Sequence, residues 1–413
     1  MKYQVIIIGG GASGMLAGIY AARGGASVCL LERNEKLGKK VYITGKGRCN
    51  MTNTADRQTF LRNVPRNPRF LYSALSFLDN DGLVELIESL GVPTKVERGG
   101  RVFPVSDHAN DVNRALEREL RRLGVRVQLE TEVKGLTQTD DGWTVHTSRE
   151  DLSADAVIAC MGGASYPVTG SDGSGARLFQ TLGLAVNPLL PALVPIETVE
   201  TWPGLLTGIS LKNVTLSLGS GKKAAFREQG EMLFTHFGIS GPLALSCSSY
   251  LDADCAGLEL YLDLKPALDV DTLVARLERE IEAFERKQLR TMLETLMPRA
   301  MAPVLARESG LDPNMVVKTM NARQVRQLAE FLKKIPLHVK STRGFAEAIV
   351  TRGGLDVREV DPKTMMLKSL PVLFAAGEEL DVDALTGGFN LQIAFSTGAV
   401  AGASAAAYVL KTE

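Results

Sequence analysis

The sequence predicts an α/β fold in which a parallel sheet flanked by helices carries an inserted domain, first β-rich and barrel-like, then helical. Three observations predict it. The apolar run 5–8 meets GGGASG at residues 9–14 and then a stretch of helical periodicity, and the apolar runs 154–160 and 372–376 also end in glycine. From about 188 to 340 that pattern gives way to polar/apolar alternation and then to helical spacing.

Each element follows in order. Residues 3–8 form a β-branched run without polar alternation, as a strand buried on both faces requires. Residues 13–23 carry Met15, Leu16, Ile19 and Tyr20 at helical spacing, and 27–31 form a second buried strand ending at Glu32. In this strand–turn–helix–strand context Gly9 permits the tight turn, Gly11 lets the backbone approach a pyrophosphate, and Gly14 lets the helix pack closely on the strand. Ala12 and Ser13 open the helix, whose unpaired N–H groups and positive dipole end suit phosphate. Glu32, about twenty residues on, is placed to accept hydrogen bonds from a ribose. The unit is a Rossmann dinucleotide site, and the acid leaves NAD and FAD as candidates.

The loop that follows, ERNEKLGKKVYITGKGRCNMTN (32–53), is basic and glycine-rich. Arg33, Lys39, Lys40, Gly45, Lys46, Arg48, Cys49 and Asn50 lie where a second clamp on a long dinucleotide belongs, its cations placed to neutralise phosphate. The other reading of the loop is a solvated charge run. Gly162 and Gly163 after one strand, and Gly377 and Glu378 after another, should gather at the same carboxyl edge of the sheet, with Val133 added to that set. A glycine-started helix follows, and its first turn, Asn390, Gln392 and Ile393, has the polarity to favour negative charge on a ligand.

These motifs resemble the BaiN/YhiN-type bacterial flavoproteins, known as NAD(P)/FAD-dependent or aminoacetone-oxidase-like oxidoreductases. GEMLFTHFGISGP (230–242), TRGGLDVREVDPKTM (351–365) and LFAAGEELDVDALTGGFNLQIAFSTG (373–398) extend the resemblance over nearly the whole chain. It implies FAD in a glutathione-reductase-like Rossmann domain, with Glu378 where related flavoproteins place an aspartate on the ribityl chain. It also implies an FAD-dependent oxidoreductase that moves hydride between the flavin and a small substrate. The branch expected first is an NAD(P)H-driven reductase of a conjugated enone such as an oxo-bile acid. The alternatives are an oxygen-using oxidase of a small amine such as aminoacetone and, in a different class, an RNA-modification or binding flavoprotein.

Absences narrow the chemistry. No second strand–GxGxxG–helix unit is present, so NAD(P)H has no dedicated domain, and TGSDGSG (169–175) reads as a capped turn before it reads as a phosphate site. GSGK (219–222) lacks the flanks of a P-loop and reads as a hairpin turn. The five cysteines are scattered and without a CxxC pair, so a reducing, cytoplasmic setting is expected, with neither disulfide redox chemistry nor a metal site. Cys49 is expected to pack beside the cofactor. Lys plus Arg equals Asp plus Glu at 47 each, which gives no support to nucleic acid as a partner. No run is long and apolar enough for a membrane span, and oligomeric state is not legible. The expected domains are 1–188 with 341–413 for FAD, 189–270 for the β-rich insertion and 271–340 for a helical subdomain.

His236, within FTHFGISGP, is the candidate for proton exchange at neutral pH; the other reading makes it structural. His108, His146 and His338 receive no role.

Overall fold

The structure is a computed structural model that describes residues 2–411. The chain divides into two compact units, Met1–Pro191 with Phe345–Glu413, and Ala192–Gly344.

The first unit is built on a seven-stranded sheet. Strand Lys2–Ile8 lies at its centre, parallel to Val28–Leu31 on one side and to Asp151–Ala159 on the other. Val5, Ile6 and Ile7 are fully buried, which is why the run lacks alternation. Asp151–Ala159 changes partner along its length: its first half pairs antiparallel with Gly142–Thr147, and Val157, Ile158 and Ala159 pair parallel with Leu373–Ala375. Helix Ala12–Arg23 and the C-terminal helix Phe389–Val409 cross in close contact, with the built Cβ positions of Gly398 and Gly402 only 2.2 Å from the carbonyl oxygens of Ser13 and Ala17.

Between Thr52 and Arg122 lie elements that the sequence reading left unassigned. Strands Thr52–Asn53, Arg101–Pro104 and Thr94–Glu97 form a small antiparallel sheet; Asp79 caps helix Asn80–Ser89 by accepting from Gly82 N–H, and helix Ala109–Arg122 follows the sheet. Glu119 on the second helix is gripped by Arg122 at 2.7 Å and Arg23 at 2.7 Å, which holds its carboxyl down at about 2.

The second unit is a closed six-stranded barrel in the order Ile196–Thr198, Gly238–Ser240, Phe226–Thr235, Ser210–Leu218, Glu259–Asp263, Ile335–Thr342. The alternating segments read from the sequence supply the long strands. One expectation is corrected: residues 335–340, placed in the helical subdomain 271–340 by the sequence, belong to strand Ile335–Thr342, which closes the barrel against Ile196–Thr198. Ile335, Leu337 and Val339 point inward and are fully buried, a period-2 pattern that Pro336 and the preceding helix disguise. The helices Val270–Ala283, Met301–Glu308 and Ala322–Lys333 share one hydrophobic core with the barrel, so they are part of its packing and not a separate body. Asn321 and Gln324 form a capping box that starts the last of them.

Candidate active site

The glycine turn has the geometry of a phosphate cradle. Gly9 sits at φ +100°, and a Cβ there would lie 2.3 Å from the Cys160 carbonyl oxygen. A Cβ on Gly14 would lie 1.8 Å from the Gly9 carbonyl oxygen, so strand and helix are in backbone contact at the turn. Gly11 is different: its Cβ position meets nothing within 4 Å, and as N-cap of the helix it offers no side-chain acceptor to the helix N–H groups. Open space in front of unpaired amides is what a pyrophosphate fills.

Glu32 is 7% exposed. One of its oxygens accepts from Gly10 N–H at 2.7 Å and the other from Asn34 N–H at 2.8 Å and Asn34 Nδ2 at 2.7 Å. A carboxylate offers about four acceptor positions, so room remains for a ribose hydroxyl. Asn34, which locks the carboxylate, was not found from the sequence; its position two residues after the acid was the available signal. Thr131 N–H donates to the Glu32 carbonyl at 2.9 Å and so brings the start of strand Val133–Thr139 alongside.

In the basic loop Arg33, Lys39 and Arg48 have protein partners. The Arg48 guanidinium pairs with Glu97 at 2.8 Å and Asp107 at 3.4 Å and stacks over Phe103 at 4.1 Å. Lys39 pairs with Glu35 at 2.8 Å, and Arg33 with Asp172 at 2.8 Å. Lys46 is exposed, and Gly45, Lys46 and Gly47 all have positive φ. Cys49 is buried, and burial pushes its thiol up to about 12, which removes it from nucleophilic chemistry. With its amide oriented by its neighbours, Asn50 accepts from Gly388 N–H at 3.1 Å and donates to the Thr52 carbonyl at 3.2 Å.

Lys40 and Glu378 meet at 2.5 Å, with Ser165 Oγ 2.5 Å from the ammonium. The other Glu378 oxygen accepts from Ser165 Oγ and from Thr351 N–H, each at 2.8 Å. Glu378 therefore ties four separate chain segments together, and its carboxylate is engaged by protein where the resemblance placed a ribityl contact. Gly162 has φ +73° and a Cβ position 3.4 Å from Ser171 Oγ; Gly377 has φ +88° and one 2.5 Å from Ser13 Oγ.

At the last helix, Asn390 turns back to accept from Ala384 N–H at 2.9 Å and to donate to the Ala384 carbonyl at 2.7 Å. Gln392 Nε2 donates to the Leu78 carbonyl at 3.1 Å and Ser396 Oγ at 2.9 Å, and Ile393 is 3% exposed. The side chains of all three thus face the protein, which leaves to a ligand only the backbone amides of a helix whose N-cap, Gly388, lacks a side chain.

Sequence reasoning missed the acids after Glu378. Glu379 is 2% exposed and accepts from Met161 N–H at 2.7 Å, and burial pushes its carboxyl up to about 8. Asp381 and Asp383 are also buried. The EELDVD spacing in a link between a parallel strand and a glycine-started helix was the available signal. Asp172, in TGSDGSG, accepts from Ser174 N–H at 2.9 Å, so that turn carries its own acid. Beside it lies a cavity of about 450 Å³ walled by Ala164, Pro167, Leu189 and Phe345. His236 is exposed on the turn between strands Phe226–Thr235 and Gly238–Ser240, in the second unit, with its ring edge-on to Phe237 at 4.9 Å. Among the described residues no cluster of three or more His, Cys, Asp or Glu is arranged to hold a metal, and no helix is long and apolar enough to cross a membrane.

Comparison with known proteins decides the family. The family model of the HI0933-like protein Rossmann domain matches residues 3–404. The chain belongs to the HI0933-like family. A 3-dehydro-bile acid Δ4,6-reductase of Clostridium scindens is 32% identical over 408 residues, 98% of this chain and 99% of that protein. A ribosomal RNA dihydrouridine synthase of Escherichia coli is 29% identical over 404 residues, 96% of each. Among solved structures, a 3-ketosteroid Δ4-(5α)-dehydrogenase of Rhodococcus jostii covers 98% of this chain and 97% of its own at TM-score 0.52, and its 17% identity speaks for the fold. This HI0933-like chain is an FAD-dependent oxidoreductase with a Rossmann FAD-binding fold. Its residues fit the cofactor: the open cradle over Gly11, the amides of Ala12 and Ser13, and Glu32 would hold the dinucleotide.

Proposed function

We propose that the protein is an NAD(P)H-dependent reductase of a carbon–carbon double bond conjugated to a carbonyl, acting on a small organic molecule of the oxo-bile-acid kind in a reducing, cytoplasmic setting. The observation that carries this reading is the end-to-end similarity to the bile acid reductase. Bound FAD supplies a hydride. The chain's own part is to hold the dinucleotide at the glycine turn and Glu32, to orient the substrate, and to bring a proton to the carbon next to the carbonyl. His236, exposed on the barrel, is proposed as the group that exchanges it. A second reading is favoured by the ribosomal RNA dihydrouridine synthases of Escherichia coli and Haemophilus influenzae, at 29% and 30% identity. A uridine ring also carries a double bond conjugated to a carbonyl, so both readings share one bond chemistry and differ in what presents it.

The test is anaerobic. NADH or NADPH should bleach the flavin absorbance, and a 3-oxo-4-ene steroid should restore it. Bleaching by aminoacetone and not by either nucleotide would overturn the reductase reading. Recovery with uridine-containing ribosomal RNA and not with the steroid would select the second reading.

A further inference from the structure

The segment TGSDGSG (169–175), which the sequence offers as a capped turn, is fastened to the acid end of the dinucleotide cradle. Asn34 makes the connection. Its Nδ2 donates to Glu32 Oε1 at 2.7 Å and to the Thr169 carbonyl at 3.1 Å, while its Oδ1 accepts from Lys39 Nζ at 3.3 Å. Two acceptors on one side of the amide and a cation on the other fix which way it faces. A Cβ on Gly170, at φ +99°, would lie 2.6 Å from Asn34 Nδ2, so the segment rests on the amide only because residue 170 has no side chain.

A second contact joins the same two pieces of chain. Arg33 pairs with Asp172 at 2.8 Å, and the other Asp172 oxygen accepts from Ser174 N–H at 2.9 Å. The turn that carries Arg33 and Asn34 is itself held from a third piece: Thr131 N–H donates to the Glu32 carbonyl at 2.9 Å and Glu130 N–H to the Asn34 carbonyl at 3.0 Å. Residues 32–34 are therefore a fixed seat, and 169–172 lie on it, all within the first unit. Because one nitrogen of Asn34 reaches both Glu32 and Thr169, the segment borders the carboxylate that has room for the ribose. Only the adenosine half of FAD extends there, since FMN ends at its single phosphate.

We propose that residues 169–172 form a clasp on the adenosine half of the cofactor, with Asn34 as its catch, and that this clasp makes the site retain FAD in preference to FMN. Asn34 is a positioning residue. It acts through Glu32, whose carboxylate it orients, and through Thr169, which it draws alongside. FAD and FMN share the isoalloxazine, the ribityl chain and the first phosphate, so a loss confined to FAD reports on the adenosine half alone. The proposal concerns cofactor retention and stands whichever substrate the enzyme reduces.

The test titrates apoprotein of wild type, Asn34→Ala, Asn34→Asp and Gly170→Ala with FAD and with FMN, reading dissociation constants from the quenching of flavin fluorescence. In Asn34→Ala the FAD constant should rise about ten- to a hundredfold, as expected when a hydrogen bond to a charged acceptor is lost, and the FMN constant should stay at its wild-type value. Asn34→Asp should lose more FAD affinity than Asn34→Ala, because it sets a second carboxylate against Glu32, whereas a residue that only fills space would tolerate the isosteric change better. Gly170→Ala leaves Glu32 and Asn34 in place and lifts the segment off them, so its FAD constant should also rise while FMN binding, the control for folding, is kept. Equal losses of FAD and FMN across the three variants, a wild-type FAD constant in Gly170→Ala, Asn34→Asp milder than Asn34→Ala, or equal affinity of the wild type for the two flavins overturns the proposal.

Discussion

Gly11 separates the cofactor from the fold at the level of a single residue. Its φ of −78° is ordinary and its Cβ position is open, so the protein chain tolerates a side chain there. Gly11→Val should therefore purify colourless yet melt like the wild-type apoprotein; a variant that remains yellow would place the pyrophosphate elsewhere. Glu379 makes a prediction on pH. Its folded-state pKa of about 8 lies above the unfolded value near 4.5, so between the two the folded state binds more protons and stability falls as pH rises. Glu379→Gln keeps the acceptor for Met161 N–H and should match wild type at about pH 5, then exceed it by on the order of 3 kcal/mol above about pH 8 in urea unfolding. An equal difference at both pH values would contradict this. His236→Gln should slow turnover on the order of a hundredfold with FAD retained, as read from steady-state rates against flavin content. What was legible at this scale was backbone demand: the glycines at 9, 11 and 14 each announce a geometric need. Ion-pair choice was not legible, because Arg48 finds Glu97 and Asp107 through tertiary folding, and nothing local distinguishes it from a phosphate ligand.

Among elements, the strand–turn–helix–strand start was legible because burial on both faces leaves an unmistakable apolar run. The barrel's alternating strands were legible for the opposite reason, one wet face each. Residues 335–342 were missed because a proline and a preceding helix mask their period. Within 54–122 the six-residue helices Arg57–Arg62 and Tyr72–Phe77 show too few turns to establish one, whereas the fourteen-residue helix Ala109–Arg122 carries Val112, Ala115, Leu116 and Leu120 at helical spacing and was legible though left unread. The crossing of the first and last helices is a point of fine tolerance. Gly402→Val would push a side chain into the Ala17 carbonyl, where the Cβ alone already lies at 2.2 Å. It should cost about 1–3 kcal/mol and lower the melting temperature measured by circular dichroism, whereas Gly183→Ala, at an open surface turn with φ +78°, should cost less.

For the whole molecule, the two-unit division makes residues 192–344 a contiguous segment with its own closed barrel and its own core. Produced alone, this segment should unfold in one cooperative transition and give dispersed amide resonances; a molten spectrum would show that the barrel needs the first unit. The first unit has no such independence in sequence. Leu373–Ala375 pairs with Val157–Ala159 at a separation of roughly two hundred residues, and the last helix packs on the first. During synthesis at about 5–20 residues per second, the half-built sheet therefore waits some 10–40 seconds for its missing strand, while the barrel between them is finished first. The nascent chain must carry an open apolar sheet edge through that interval, and the helix that opens at the glycine turn gains its packing partner only after residues 389–409 have left the ribosome.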